Sequence, residues 1–208
     1  MKKTIAAFLG LIALTIATAP TPASAVDGDL SMAGAYIQTV GLTSIPVGHA
    51  EYCARWSEDC LPNTASSDMV DLTPALWEQL QRVNNVFNTT ITPASDIDLY
   101  GVEEFWTFPV NGYGDCEDFV LAKRAALIEM GWDAGVLLIT VVRQANGEGH
   151  AVLTVRTDRG DLVLDNQEGL IRLWSDTPYT FLKRQSQANA GQWVDLVDPR
   201  GDILVAQR

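Results

Sequence analysis

The chain is poor in the residues that would make several function classes available to it. In 208 residues it has three cysteines, Cys53, Cys60 and Cys116, and two histidines, His49 and His150. That excludes a disulfide-dense scaffold and a histidine-rich metal centre. Basic residues are also scarce, 14 against 26 acids, for a formal net charge of −12. A surface of that sign repels phosphate and argues against nucleic acid or anionic lipid as a partner. The surplus carboxylate suits divalent cations instead. Beyond the N-terminus no apolar run approaches the roughly 20 residues that a membrane-spanning helix needs.

The chain begins MKKTIAAFLGLIALTIATAPTPASAVDG. Lys2 and Lys3 precede an apolar stretch from Ile5 to Ala19, and Ala23, Ser24 and Ala25 form a small-residue site, the layout of a cleavable secretory signal. Residues 1–25 are therefore expected to be a signal peptide and 26–208 a single soluble, exported domain. Cleavage removes two lysines and no acid, which takes the formal charge to −14. In an oxidising compartment an odd number of cysteines leaves one thiol over. Cys53 and Cys60 lie close together in CARWSEDC and are the expected disulfide, so Cys116 is the free one.

Residues 26–70, rich in Gly, Ser, Pro and Thr, read as loops and short extended pieces. DLTPALWEQLQRVNNVFN reads as a helix, with Thr73 as cap, Pro74 at the first helical position and Leu76, Leu80, Val83 and Phe87 on one face. Thr89–Asn111 reads as connecting structure. A second helix is expected from Cys116 to Met130, with Phe119, Val120, Leu127 and Met130 on or beside one face and Gly131 ending it. Strands follow: AGVLLITVVRQ, then Ala151–Thr157 and Asp161–Asp165 around a tight turn at Asp158, Arg159 and Gly160, with further strands at GQWVDLV and ILVAQ. A helix packed on an antiparallel sheet is an α+β domain.

Within GYGDCEDF one cysteine sits among three carboxylates, Asp115, Glu117 and Asp118, at the head of the second helix. Neighbouring negative charge raises a thiol's pKa, whereas a helix N-terminus favours an anion. His150 opens the second strand after that helix and Asp165 closes the third. They stand nine and six residues from Arg159 at the turn, which makes them cross-strand or diagonal neighbours. A thiol nucleophile, an imidazole that moves its proton and a carboxylate that orients the ring are the parts needed for acyl chemistry, so Cys116, His150 and Asp165 are the candidate triad. Asn111, Tyr113 and Trp106 are candidate donors to an oxyanion. The alternative is a non-catalytic exported module in which Cys116 is a buried cap residue.

GDCEDF opening a helix, followed by HAVLTV and VLDNQ, closely resembles the bacterial transglutaminase-like cysteine proteinases, including their LapG-type periplasmic members. The resemblance covers Leu72–Gln167 well and extends to GHAEYCARWSEDC. It implies a papain-like, transglutaminase-like core with Cys116 as nucleophile, His150 as general base and acid, and Asp165 as orienting carboxylate. It further implies Ca²⁺ bound through Asp115 and Glu117, with Asp118 an additional ligand. It implies a periplasmic endopeptidase acting on a protein, for LapG-type members a large surface adhesin in biofilm attachment, and sequestration by a cyclic-di-GMP-responsive inner-membrane receptor. The same triad would also serve a transglutaminase-like acyltransferase or an amidase.

Overall fold

The computed structural model describes residues 34–64 and 68–200. The expected signal peptide and the strand expected at ILVAQ fall outside the described residues. In chain order the elements are β1 (Gln38–Thr43), α1 (Val47–Arg55), α2 (Pro74–Thr90), β2 (Thr92–Pro93), α3 (Asp96–Tyr100), β3 (Tyr113–Gly114) and α4 (Cys116–Glu129). Then come β4 (Leu137–Arg143), β5 (Gly149–Thr157), β6 (Gly160–Leu164), β7 (Arg172–Leu173), β8 (Thr180–Ser186) and β9 (Asn189–Val197). Seven strands make one antiparallel sheet in the order β1-β9-β8-β4-β5-β6-β7, and β2 pairs with β3 in parallel. The chain is α+β, as its sequence predicts.

The two main helices form for local reasons. The Thr73 hydroxyl accepts from Leu76 N and Pro74 opens α2; Leu80 and Val83 are its buried apolar positions. Helix α4 departs from the one-face expectation. Every residue from Glu117 to Arg124 is buried, because the helix is packed between α2 and strands β4 and β5, while Met130 at its end is 46% exposed. Val120, Leu121 and Leu127 join Leu80, Val83, Ala151, Leu153 and Val155 in the main core. On the other face of the sheet Val142, Val152 and Val163 meet Ile37, Trp174, Tyr179 and Phe181. Alternation along β5 thus sends its odd-numbered residues toward the helices and its even-numbered ones away.

The hairpin is as expected: Thr157 pairs with Gly160 across a two-residue turn, and Gly160 takes φ +116°, a conformation few other residues adopt. Three elements differ from expectation. VGHAEYCAR has no sustained apolar period, yet it is a helix, α1, anchored by buried His49 and Tyr52. The connecting segment contains the short helix α3, capped by Ser95. TFLKRQS, whose Lys183, Arg184 and Gln185 give no strand pattern, is the neighbour of β4 in the sheet. Partners for most of its buried polar atoms hold it there: Arg184 Nη1 donates to Asp161 Oδ2 at 2.9 Å, Gln185 Oε1 accepts from Ile139 N at 3.0 Å and Gln185 Nε2 donates to Ala190 O at 2.9 Å, while Arg184 Nε is left without a partner. The disulfide Cys53–Cys60 is formed and Cys116 is free.

Candidate active site

Cys116 is the first residue of α4, and His150 is the second residue of β5. Both line one cleft of about 380 Å³, together with Pro46, Val47, Gly48, Glu104, Trp106 and Glu117. The cleft wall is tight: a Cβ on Gly48 would stand 2.4 Å from the Trp106 ring. Leu153 pairs with Leu164, so Asp165 emerges one residue past the end of β6, on the side where β5 begins. There its Oδ1 lies 2.9 Å from His150 Nε2. Oδ1 also accepts from Gln167 N at 3.0 Å, and Oδ2 accepts from the Tyr179 hydroxyl. Burial pushes the Asp165 carboxyl up, but the His150 and Tyr179 hydrogen bonds outweigh it and leave it below its ordinary value. Bonding to Nε2 fixes the tautomer and leaves Nδ1 as the nitrogen able to exchange a proton in the cleft.

The thiol side is different. Cys116 donates to Glu117 Oε2 at 3.0 Å, so its hydrogen-bond partner is a carboxylate rather than the imidazole. Burial and the Glu117 charge push the thiol well above its usual pKa, against the pull of the Ala151 N–H. Burial raises Asp115, helped by the charges of Asp96 and Glu104 and opposed by its hydrogen bond with Glu117, and burial with the Asp115 charge raises Glu117.

Two acidic groups meet at Asp115. Asp115, Cys116 and Glu117 form one; Asp96, Asp115 and Asp118 form the other, each with ligand atoms within 4.8 Å of one another. In the second group Asp118 Oδ1 accepts from Thr107 N at 2.9 Å and Asp96 Oδ2 from Phe105 N. One further oxygen on each, Asp96 Oδ1, Asp115 Oδ1 and Asp118 Oδ2, is buried without a partner. Burial pushes the Asp118 carboxyl up to about 7, helped by the charges of Asp115 and Asp96. Gly114 makes the close approach feasible, since a Cβ there would lie 2.7 Å from Asp118 Oδ2. Three carboxylates that converge, each keeping a buried oxygen without a partner, fit a hard cation that takes oxygen ligands. Asp115 and Asp118 thus come together, and Glu117 turns to the thiol.

Sequence reading missed Asp96 and Tyr179. Asp96 opens the short helix α3, 19 residues before Asp115, and Tyr179 lies 14 residues beyond Asp165. Only the fold brings either to the site, and neither has a local signature. Of the oxyanion candidates, Trp106 lines the cleft, but its Nε1 donates to Glu104 Oε2 at 3.1 Å. The second histidine, His49, accepts from Trp193 Nε1 at 3.1 Å in an aromatic cage, and burial lowers its pKa to about 4. It is a neutral structural imidazole.

The sequence profile of the bacterial transglutaminase-like cysteine proteinases matches residues 39–201. Among solved structures the chain is similar to calcium-bound Legionella pneumophila LapG, with 24% identity, a TM-score of 0.51, and coverage of 66% of this chain and 82% of that one. A second Legionella pneumophila LapG structure gives 26% identity, a TM-score of 0.50, and coverage of 66% and 79%. No curated protein matches. The chain belongs to the bacterial transglutaminase-like cysteine proteinase family, and it is a cysteine peptidase of transglutaminase-like fold.

Proposed function

We propose that this peptidase is exported to the periplasm, depends on calcium, and cuts a protein substrate with Cys116, His150 and Asp165. The observation that carries the triad is the His150–Asp165 pair at 2.9 Å, opening on the same cleft as a free thiol at a helix N-terminus. His150 takes the thiol proton at Nδ1, Cys116 Sγ attacks the scissile carbonyl carbon, and the imidazolium returns the proton to the leaving amine. Asp165 holds Nε2–H throughout. Water then releases the acyl group with His150 as base. The main-chain N–H groups at the head of α4 are the donors for the oxyanion.

Asp96, Asp115 and Asp118 are the residues that would hold the calcium ion, with Glu117 adjoining them. Bound there, the ion supplies positive charge beside the thiol, offsetting the carboxylates that now disfavour the thiolate. Support comes from the three unpartnered oxygens and from the fold shared with a LapG described as calcium-bound. Export is supported by the N-terminal sequence and by the Cys53–Cys60 disulfide, which persists in an oxidising compartment. A large surface adhesin is the substrate, and a cyclic-di-GMP-responsive inner-membrane receptor the regulator, that the family resemblance supports.

The test is cleavage of an adhesin N-terminal fragment by the wild type, by Cys116→Ala and His150→Ala, and by the wild type with EGTA. Loss of cleavage is expected in all three treated arms. Undiminished cleavage by either alanine variant sinks the triad, and insensitivity to EGTA sinks the calcium requirement.

A further inference from the structure

Asp165 is held from a side that the triad does not use. It opens the 165–169 loop, and two asparagines one helical turn apart on α2 reach that loop's main chain. Asn88 Nδ2 donates to Asp165 O at 2.8 Å and Asn84 Nδ2 to Gly169 O at 3.2 Å. From α4, Lys123 Nζ donates to Asn84 Oδ1 at 2.8 Å. Lys123 stands seven residues after Cys116, two turns along the same helix.

The arrangement is costly for an ordinary core. Lys123 and Asn84 are each 1% exposed, and the hydrogen-bond partner of the lysine is a neutral amide. Lysine is almost never fully buried unless paired with charge. Burial lowers the ammonium to about 7, and the charge that works against this is that of Asp165. The residue that receives this attention has a donor on each of its oxygens: its Oδ1 serves His150 and Gln167, its Oδ2 serves Tyr179, and its main-chain carbonyl serves Asn88. Fixing the main chain of residue 165 as well as its carboxylate leaves Oδ1 one direction in which to point, toward Nε2.

We infer that Asn84, Asn88 and Lys123 are positioning residues, a clamp from the two helices that sets Asp165 on the His150 imidazole and so tunes the reactivity of a thiol none of them touches. The inference rests on the triad proposed above. It goes further in assigning an activity role to residues of α2 and α4 that lie outside the cleft.

Because Cys53 and Cys60 are bonded to each other, iodoacetamide has one free thiol to alkylate, and mass spectrometry can follow Cys116 in the intact protein without a substrate. Rates are measured from pH 5 to 8, in calcium-containing buffer, for the wild type, Asn88→Ala, Lys123→Met and Asp165→Asn, and for each clamp variant combined with Asp165→Asn. The expected result is that Asn88→Ala and Lys123→Met each slow alkylation below pH 7 by about threefold to tenfold. In the Asp165→Asn background they should change it by less than about twofold, because residues acting through one group are not additive. The same slowing factor in both backgrounds would mark a merely structural role and overturn the inference. So would wild-type rates in both single clamp variants. Wild-type alkylation by Asp165→Asn itself would instead overturn the triad, and the clamp with it. If Lys123→Met fails to fold, Asn88→Ala decides alone, since it removes one amide at a half-buried position.

Discussion

On the strand side of the cleft every acceptor on Asp165 has a protein donor, and His150 is locked by the result. On the helix side Asp96, Asp115 and Asp118 each keep a buried oxygen with no partner, and the thiol donates its hydrogen bond to Glu117. Both halves place carboxylates beside the cleft, yet the acceptors of one are met by the polypeptide and those of the other are not. Buried polar groups without partners are expensive, and the proposed cation would supply the partner that these three lack. The proton-transfer half is therefore expected to work as folded, and the nucleophile half to work as loaded.

Asp165→Asn strikes the completed half and should have the largest effect: a loss of about 10²–10⁴-fold in kcat/KM, because the amide favours the wrong tautomer of His150. Chelator should not change its melting temperature any differently from that of the wild type. A steady-state assay beside a calcium-dependent melting curve checks both, and an active Asp165→Asn would erase the contrast between the halves. Next in size, calcium at about 100 times its dissociation constant should stabilise the wild type by about 2.7 kcal/mol, read as an upward shift in melting temperature. The shift should largely vanish in Asp96→Asn or Asp118→Asn. An undiminished shift in both variants would move the cation elsewhere and leave the three oxygens unexplained. Smallest is Tyr179→Phe, which removes one of the bonds to Asp165 and should cost about 1 kcal/mol of stability or a few-fold in kcat. Its calcium response should stay intact, and altered calcium binding in this variant would show that the halves are coupled.

Much of this was legible in the sequence where the cause is local. Thr73 and Pro74 announce α2, the Asp158–Gly160 turn announces the β5–β6 hairpin, and the hairpin's register puts Asp165 near His150. What was not legible depends on distant partners. Helix α1 has little apolar pattern and is held by the packing of His49 against Trp106 and Trp193. Strand β8 is polar in composition and buried only because Asp161 and Ile139 supply partners for Arg184 and Gln185. Asp96 joins Asp115 and Asp118 through a loop closure that no spacing encodes. GDCEDF pointed correctly to a crowded acidic mouth. What spacing could not give is the burial of Cys116, the largest cause that pushes its thiol up, ahead of the Glu117 charge.

Helix α4, enclosed on all sides from Glu117 to Arg124, also constrains what can be cut. An element with no solvent-facing side exposes its amides only when the whole domain opens, so the nucleophile cannot be carried out to a substrate by local breathing. A substrate would have to reach the thiol where the fold holds it, so an extended, unstructured stretch of chain is expected to be cut more readily than a folded module.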